Sequence, residues 1–145
     1  MAKVVSINVS DKKGVVKTPV KERTFVKDHG IEGDAHGGKW HRQVSLLAQE
    51  SINTAMEKDG LVLTPGMFAE NLTTEGMVLH ELPVGTKIRI GETLQEVTQI
   101  GKKCHSKCEI YFKTGDCVMP REGIFTAVLK GGIVKVGDPM EIIEE

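Results

Sequence analysis

The stretch KIRIGETLQEVTQIG, residues 87–101, carries the clearest structural signal in the chain. Two runs of alternating apolar and polar residues flank Gly91-Glu92-Thr93, a short loop whose glycine accepts positive φ, so the segment predicts a β-hairpin. Ile88, Ile90, Leu94 and Val97 are its expected core residues. On the N-terminal side, KVVSINV (3–9) is rich in Val and Ile and ends at a polar turn, which predicts an early strand. VVKTPVKERTFV (15–26) continues in an extended style, because Pro19 biases Thr18 away from the helical region. KDHGIEGDAHGG (27–38) holds four glycines and no apolar period, and reads as loop.

One segment has helical spacing. In SLLAQESINTAMEKDG (45–60), Ala48, Ile52, Ala55 and Met56 recur at intervals of three and four, and Gly60 stands where a helix would stop. GLVLTPGMFAENLTTEGMVLHELPVG (60–85) suits strand fragments joined by tight turns. IFTAVLKGGIVKVGDPMEIIEE (124–145) suits short β segments split at Gly131-Gly132 and at Gly137-Asp138-Pro139. Strands punctuated by glycine turns, with one helix inserted, predict a mainly β single domain over residues 1–145, closed or partly closed into a barrel.

Composition bounds the function. With 145 residues, 39% of them hydrophobic, the chain supports one ordinary core without a cystine framework. Its 19 Lys+Arg against 20 Asp+Glu argue against a wholesale polyanion binder, and 4% aromatic residues leave little for base stacking, so no nucleic-acid role is expected. Three cysteines cannot all pair with one another, which favours a reducing, cytoplasmic setting. MAKVVSINVS has no apolar signal region, and no stretch approaches 18 apolar residues, so neither secretion nor membrane spanning is expected.

The densest chemistry lies in GKKCHSKCEIYFKTGDC (101–117). Ammonium groups of Lys102, Lys103 and Lys107 favour the thiolate form of a nearby cysteine, which makes Cys104 the leading reactive residue. Cysteine is also a small hydrophobe that proteins bury freely, so the roles of Cys108 and Cys117 stay open. A zinc site built from the three cysteines and a histidine has acceptable ligand chemistry, but the second closely spaced pair is missing and no metal site is assigned. A second polar concentration, HGIEGDAHGGKWHRQ (29–43), offers Asp34, His36, His41 and Arg42 on a glycine-permissive backbone. Its amides and the Arg42 fork suit an oxyanion; a plain surface turn satisfied by Asp34 is the alternative. Asn71, in a segment read as a turn at Thr73–Gly76, offers both donors and acceptors to a bound group or to the turn itself. Arg121 is a further anionic anchor or a partner for a carboxylate.

Taken together, GIEGDAHGGKWHRQVSLLAQESI, GMFAENLTTEG, LPVGTKIRIGETLQEVTQIGKKC and GDCVMPREGIFTAVLKGGIVKVGD resemble the stand-alone MOSC proteins, related to the C-terminal domain of molybdenum cofactor sulfurase. The resemblance implies a MOSC-type β-barrel similar to the small β domain of pyruvate kinase. It also implies binding of molybdenum cofactor or molybdopterin, with sulfur carriage or transfer. The family's characteristic cysteine falls on Cys104, where it would carry sulfur as a persulfide. Relatives carry Arg-Pro before that cysteine where this chain has Lys102-Lys103, which retains positive charge and changes loop stiffness. The glycine-rich motif falls on Gly33, Asp34 and His36 with Arg42 following, and Asn71 falls near the implied pocket. Asp34, His36, Arg42, Asn71, Lys102, Lys103 and Arg121 are thus the expected cofactor-binding residues. The implied partners are a sulfur donor such as a cysteine desulfurase and a molybdoenzyme or cofactor-biosynthesis protein. Whether the chain is a sulfur-transfer enzyme, a noncatalytic carrier or sensor, or a structural zinc or protein-interaction module is left open at this level.

Overall fold

The computed structural model describes residues 2–11, 17–35, 37–53, 70–101 and 123–143. Eleven strands are formed: β1 (Lys3–Val9), β2 (Thr18–Val20), β3 (Glu22–Val26), β4 (Gly30–Ile31), β5 (Val44–Ala48), β6 (Leu72–Glu75), β7 (Lys87–Ile90), β8 (Thr93–Ile100), β9 (Ile124–Lys130), β10 (Gly132–Lys135) and β11 (Met140–Ile143). A 3-10 turn spans Leu79–Glu81. Helical backbone occupies residues 49–53, immediately after β5.

Eight strands form one sheet in the order β11-β7-β8-β9-β5-β6-β1-β2, and β10-β3-β4 form a second. The large sheet is mixed, since β5 and β6 run parallel while its other ladders are antiparallel. The expected barrel is therefore corrected: the fold is mainly β with a short helix, but its sheets are open. Where β1 approaches the start of β11, Lys3 and Pro139 make an isolated bridge, flanked by the Val4 amide to the Asp138 carbonyl at 2.9 Å and the Met140 amide to the Ala2 carbonyl at 3.0 Å. Further along the same strand, Ile7–Val9 pair with β2 instead.

The β7–β8 hairpin forms as expected, with a two-residue turn at Gly91-Glu92 and Gly91 at φ 55°. Its register pairs Ile90 with Thr93 and Ile88 with Gln95. Cross-strand partners share a face, so Thr93, Gln95 and Val97 are buried with the two isoleucines. Leu94 pairs with Arg89 on the other face and is only half-buried, so its expected core role is not met.

The expected helix at 45–60 begins later. Ser45–Ala48 belong to β5, whose five residues are all buried, and residues 54–60 lie outside the described part. A run buried on both faces has no period-two signature, which is why its apolar spacing reads as helix. The turn expected at Thr73–Gly76 is likewise strand through Glu75.

One face of the large sheet packs against the small sheet in a single core. Val44, Leu46, Leu72, Val97, Ile124 and Val128 contribute from the large sheet, and Phe25, Ile31 and Val134 from the small one. Leu47 and Phe125 are buried but stand outside that core, on the opposite side of the same strands.

Candidate functional site

The opposite face is buried and largely polar. Asn71 lies beside Ser45, Ser45 pairs with Phe125, and Phe125 pairs with Gln99, so these four side chains form one row across β6, β5, β9 and β8. Asn8 of β1 extends it, donating its backbone N–H to the Asn71 carbonyl at 2.7 Å. Strict alternation would place Gln99 on the core side with Val97. A β-bulge intervenes: Val97 pairs with Thr126 and Gln99 with Phe125, so two residues of β8 advance against one of β9. The bulge turns Gln99 onto the polar face.

Asn71 is fully buried and closes the row. Its Oδ1 accepts from the Ser45 amide at 2.9 Å and from Ser45 Oγ at 3.1 Å, and its Nδ2 donates to the Asn8 carbonyl at 3.2 Å. Asn8 Nδ2 in turn donates to the Glu70 carbonyl and to Thr73 Oγ1, both at 3.1 Å, and Thr73 Oγ1 donates to Glu70 Oε2 at 2.7 Å. Asn71 thus joins the start of β5 to the end of β1, a task its side chain performs with both amide atoms.

Asp34 sits further along the same side. Its Oδ1 meets Lys17 Nζ at 2.8 Å, with both side chains wholly excluded from solvent, and accepts the Ser10 amide at 3.0 Å. Lys17 also donates to Ser10 Oγ at 3.0 Å. The Ala35 amide returns to the Ser10 carbonyl at 2.7 Å, so the ion pair and this bond moor the glycine-rich loop to the end of β1. The loop passes close to the strand it precedes: a Cβ on Gly30, at φ 114°, would stand 2.6 Å from the Gln43 carbonyl oxygen. A buried ion pair of this kind tolerates loss of one partner badly, because the survivor keeps its charge without its counterion.

Arg42 occupies the other end of the row. Its Nε donates to Gln99 Oε1 at 3.0 Å, and its guanidinium carbon lies 5.3 Å from the centre of the Phe125 ring. A cation over a ring face is worth roughly 0.5–2 kcal/mol, enough to fix the plane of the fork. Its Nη atoms donate to no described residue. His41 Nε2 meets the same Gln99 oxygen at 2.7 Å, and the His41 carbonyl accepts from Thr98 Oγ1. Gln99 Nε2 donates to the Gly101 carbonyl at 2.7 Å, and the Gly101 amide donates to the Gly123 carbonyl at 2.7 Å. Residues 102–122 are therefore inserted between two hydrogen-bonded glycines at the end of this row.

His36, Lys102, Lys103, Cys104 and Arg121 lie outside the described residues, as do His105, Cys108 and Cys117 and with them the zinc alternative. Of the expected site residues that are described, Asn71 and Arg42 share the row and Asp34 adjoins it through Ser10. Lys17, Ser45, Gln99 and Phe125 are the members that sequence reasoning did not select. Nothing in the spacing around Lys17 marks it as buried, and Gln99 is concealed by the bulge. Among the described residues no group of three or more His, Cys, Asp or Glu is placed to hold a metal ion. A cavity of about 420 Å³ lies against Glu22, Arg23, Thr24, Glu32 and Gly33. Another of about 210 Å³ lies against Ala48, Glu50, Met77, Leu79 and His80, among others. Arg42 and Asn71 line neither.

The fold places the chain in a class of small, open mixed-sheet β domains that solved structures share. YiiM from Geobacillus stearothermophilus superposes with TM-score 0.78 at 24% identity, covering 99% of this chain and 76% of its own. The YUAD protein from Bacillus subtilis gives TM-score 0.76 at 21% identity, covering 97% and 94%. YiiM from Escherichia coli gives TM-score 0.74 at 21% identity, covering 100% and 71%. No curated protein matches the chain in sequence. The MOSC domain family matches residues 32–141, most of the chain, and the protein belongs to that family, whose members are linked broadly to molybdenum cofactor biology.

Proposed function

We propose that the protein binds molybdenum cofactor or molybdopterin at the polar face of its large sheet and that Cys104 carries sulfur there. The observation that supports this reading is Arg42: a guanidinium fixed by Gln99 and Phe125, with Nη atoms that engage no described residue. A preset fork of this kind suits a phosphate or another oxyanion. The donor set fits the implied group: it offers a cation and polar groups to an anionic, oxygen-rich ligand, and no described cluster competes to hold a metal of its own.

In this reading Arg42, assisted by Lys102, Lys103 and Arg121, holds the anionic end of the ligand. Asn71 and the Lys17–Asp34 pair keep the supporting strands and loop in place, and His36 is a further ligand-binding residue. When bound, the cofactor supplies the pterin thiolates and the metal whose chemistry the family handles. Cys104 follows Gly101 by three residues in the sequence, and this reading assigns it to the Arg42 end of the row. Its thiolate, favoured by Lys102 and Lys103, attacks the outer sulfur of a donor persulfide; a new S–S bond forms on Cys104 and the donor leaves as a thiolate. In this reading a partner such as a cysteine desulfurase supplies that sulfur, and the protein passes it or the cofactor to a molybdoenzyme or a biosynthetic protein.

Intact mass spectrometry tests the reading. The wild type incubated with a persulfide donor is expected to gain one sulfur, and with molybdopterin to gain the ligand mass, while Cys104→Ala gains no sulfur. Equal sulfur adducts on both proteins would remove Cys104 from the mechanism. Tight cofactor binding with no Cys104 persulfide would instead make the protein a noncatalytic carrier.

A further inference from the structure

We infer that His41 and Arg42 form a two-pronged site for a phosphate monoester, and that Gln99 is the positioning residue that sets both prongs. The inference rests on the anion-binding reading of Arg42 given above and names the group and residues that complete it.

The Gln99 amide is oriented by its partners, since its oxygen only accepts and its nitrogen only donates. Here both ends are decided. Arg42 Nε is a donor only, so the atom it meets at 3.0 Å is Oε1. The Gly101 carbonyl is an acceptor only, so the atom it meets at 2.7 Å is Nε2. Since Oε1 is an acceptor, His41 must donate to it through Nε2 at 2.7 Å. His41 is thereby held with its proton on Nε2, and in the neutral ring Nδ1 carries the lone pair. That atom has no partner among the described residues.

The surroundings hold this arrangement still. Thr98 Oγ1 donates to the His41 carbonyl, and the Trp40 ring stands edge-on to the imidazole at 6.0 Å and 67°. Phe125 supports the guanidinium from below. The two side chains converge on a single oxygen, and their outer nitrogens engage no described residue: the Nη pair of Arg42 and Nδ1 of His41. A phosphate monoester takes both kinds of contact, two donors from the fork to its oxygens and one hydrogen bond from the P–OH of its monoanion to the Nδ1 lone pair. A planar carboxylate uses the fork and leaves Nδ1 idle. The bulge at Thr98 has a purpose in this arrangement, because without it Gln99 would face the apolar core and neither prong would have its anchor.

The test follows the His41 ring nitrogens and the Arg42 Nε–H by ¹⁵N NMR while inorganic phosphate, phenyl phosphate and, separately, molybdopterin are titrated into the wild type, Gln99→Leu and Gln99→Glu. The wild type is expected to show the Nε2–H tautomer and to shift both residues on adding either phosphate compound. Gln99→Leu is expected to mix the tautomers and to weaken phenyl phosphate binding about tenfold. Gln99→Glu keeps an acceptor and is expected to restore the tautomer while adding a charge that weakens the anion further. A wild type in the Nδ1–H tautomer, or signals that phosphate leaves unmoved, would overturn the inference without any variant having to fold. Equal affinities in wild type and Gln99→Leu would do the same. Phosphate binding at the pair with no uptake of molybdopterin sinks the cofactor reading and leaves this inference standing; uptake of molybdopterin with both residues silent does the reverse.

Discussion

The two faces of the large sheet are made by the same strands and hold together by different means. Val44, Leu46, Leu72 and Ile124 bury apolar surface on one side, where any side chain of similar volume contributes comparably. Ser45, Asn71 and Asn8 are as deeply buried on the other, but each contributes only through a named partner at a fixed distance. The first face therefore fails by degrees as volume is removed. The second fails one group at a time, and each failure leaves another polar atom dry.

The sharpest way to break the comparison is the buried ion pair. Asp34→Ala leaves the Lys17 ammonium buried without its counterion and is expected to cost about 3–5 kcal/mol in chemical denaturation. The double variant Lys17→Met/Asp34→Leu removes both charges and should recover a large part of that loss. A double variant worse than Asp34→Ala would show that the pair does more than moor the loop. Leu46→Ala on the apolar face is expected to cost about 2–5 kcal/mol, with no second substitution able to restore it by charge matching.

Asn71→Ala comes next. It removes the acceptor of the Ser45 amide and one partner of the Ser45 hydroxyl, which keeps the Asn71 backbone N–H at 2.9 Å, so a loss of about 1–3 kcal/mol is expected. Asn71→Asp keeps the Oδ1 acceptor and should separate the two contributions. Arg42→Lys should change stability little, because the lost contacts lie at the rim, yet weaken binding of phenyl phosphate about tenfold, equivalent to about 1.4 kcal/mol, as measured by titration calorimetry. The smallest effect is expected at Leu94, where substitution by Gln on the half-buried side of the hairpin should stay within about 1 kcal/mol. A loss as large as that for Val97→Ala would mean the hairpin register is shifted.

Much of the strand content was legible in advance because it depends on short-range pattern. KVVSINV forms β1 over Lys3–Val9, and the 87–101 hairpin and the glycine-split tail fall where their alternation and turns place them. What escaped depends on distant partners. β5 hides inside an apolar run because it is covered on both sides, and the order of the large sheet, with β11 and β2 at its ends, is set by long-range pairings that no local window contains. The site divides along the same line. Arg42, Asp34 and Asn71 stand out as polar residues amid glycine or turn signals, whereas Lys17 is recognisable only from the aspartate it meets and Gln99 only from a bulge that shifts its phase. The family match rests on residues 32–141 together rather than on any one of these positions.

The hydrogen bond between Gly101 and Gly123 has a practical consequence. It means that the two positions flanking the cysteine-bearing stretch in the sequence meet at one point of the described sheet. Joining the two glycines by a tight turn in place of residues 102–122 deletes Cys104 and both neighbouring lysines in a single step. Retained folding of that variant would show the two glycines to be a grafting point, and unfolding would show that the deleted stretch helps to build the sheet.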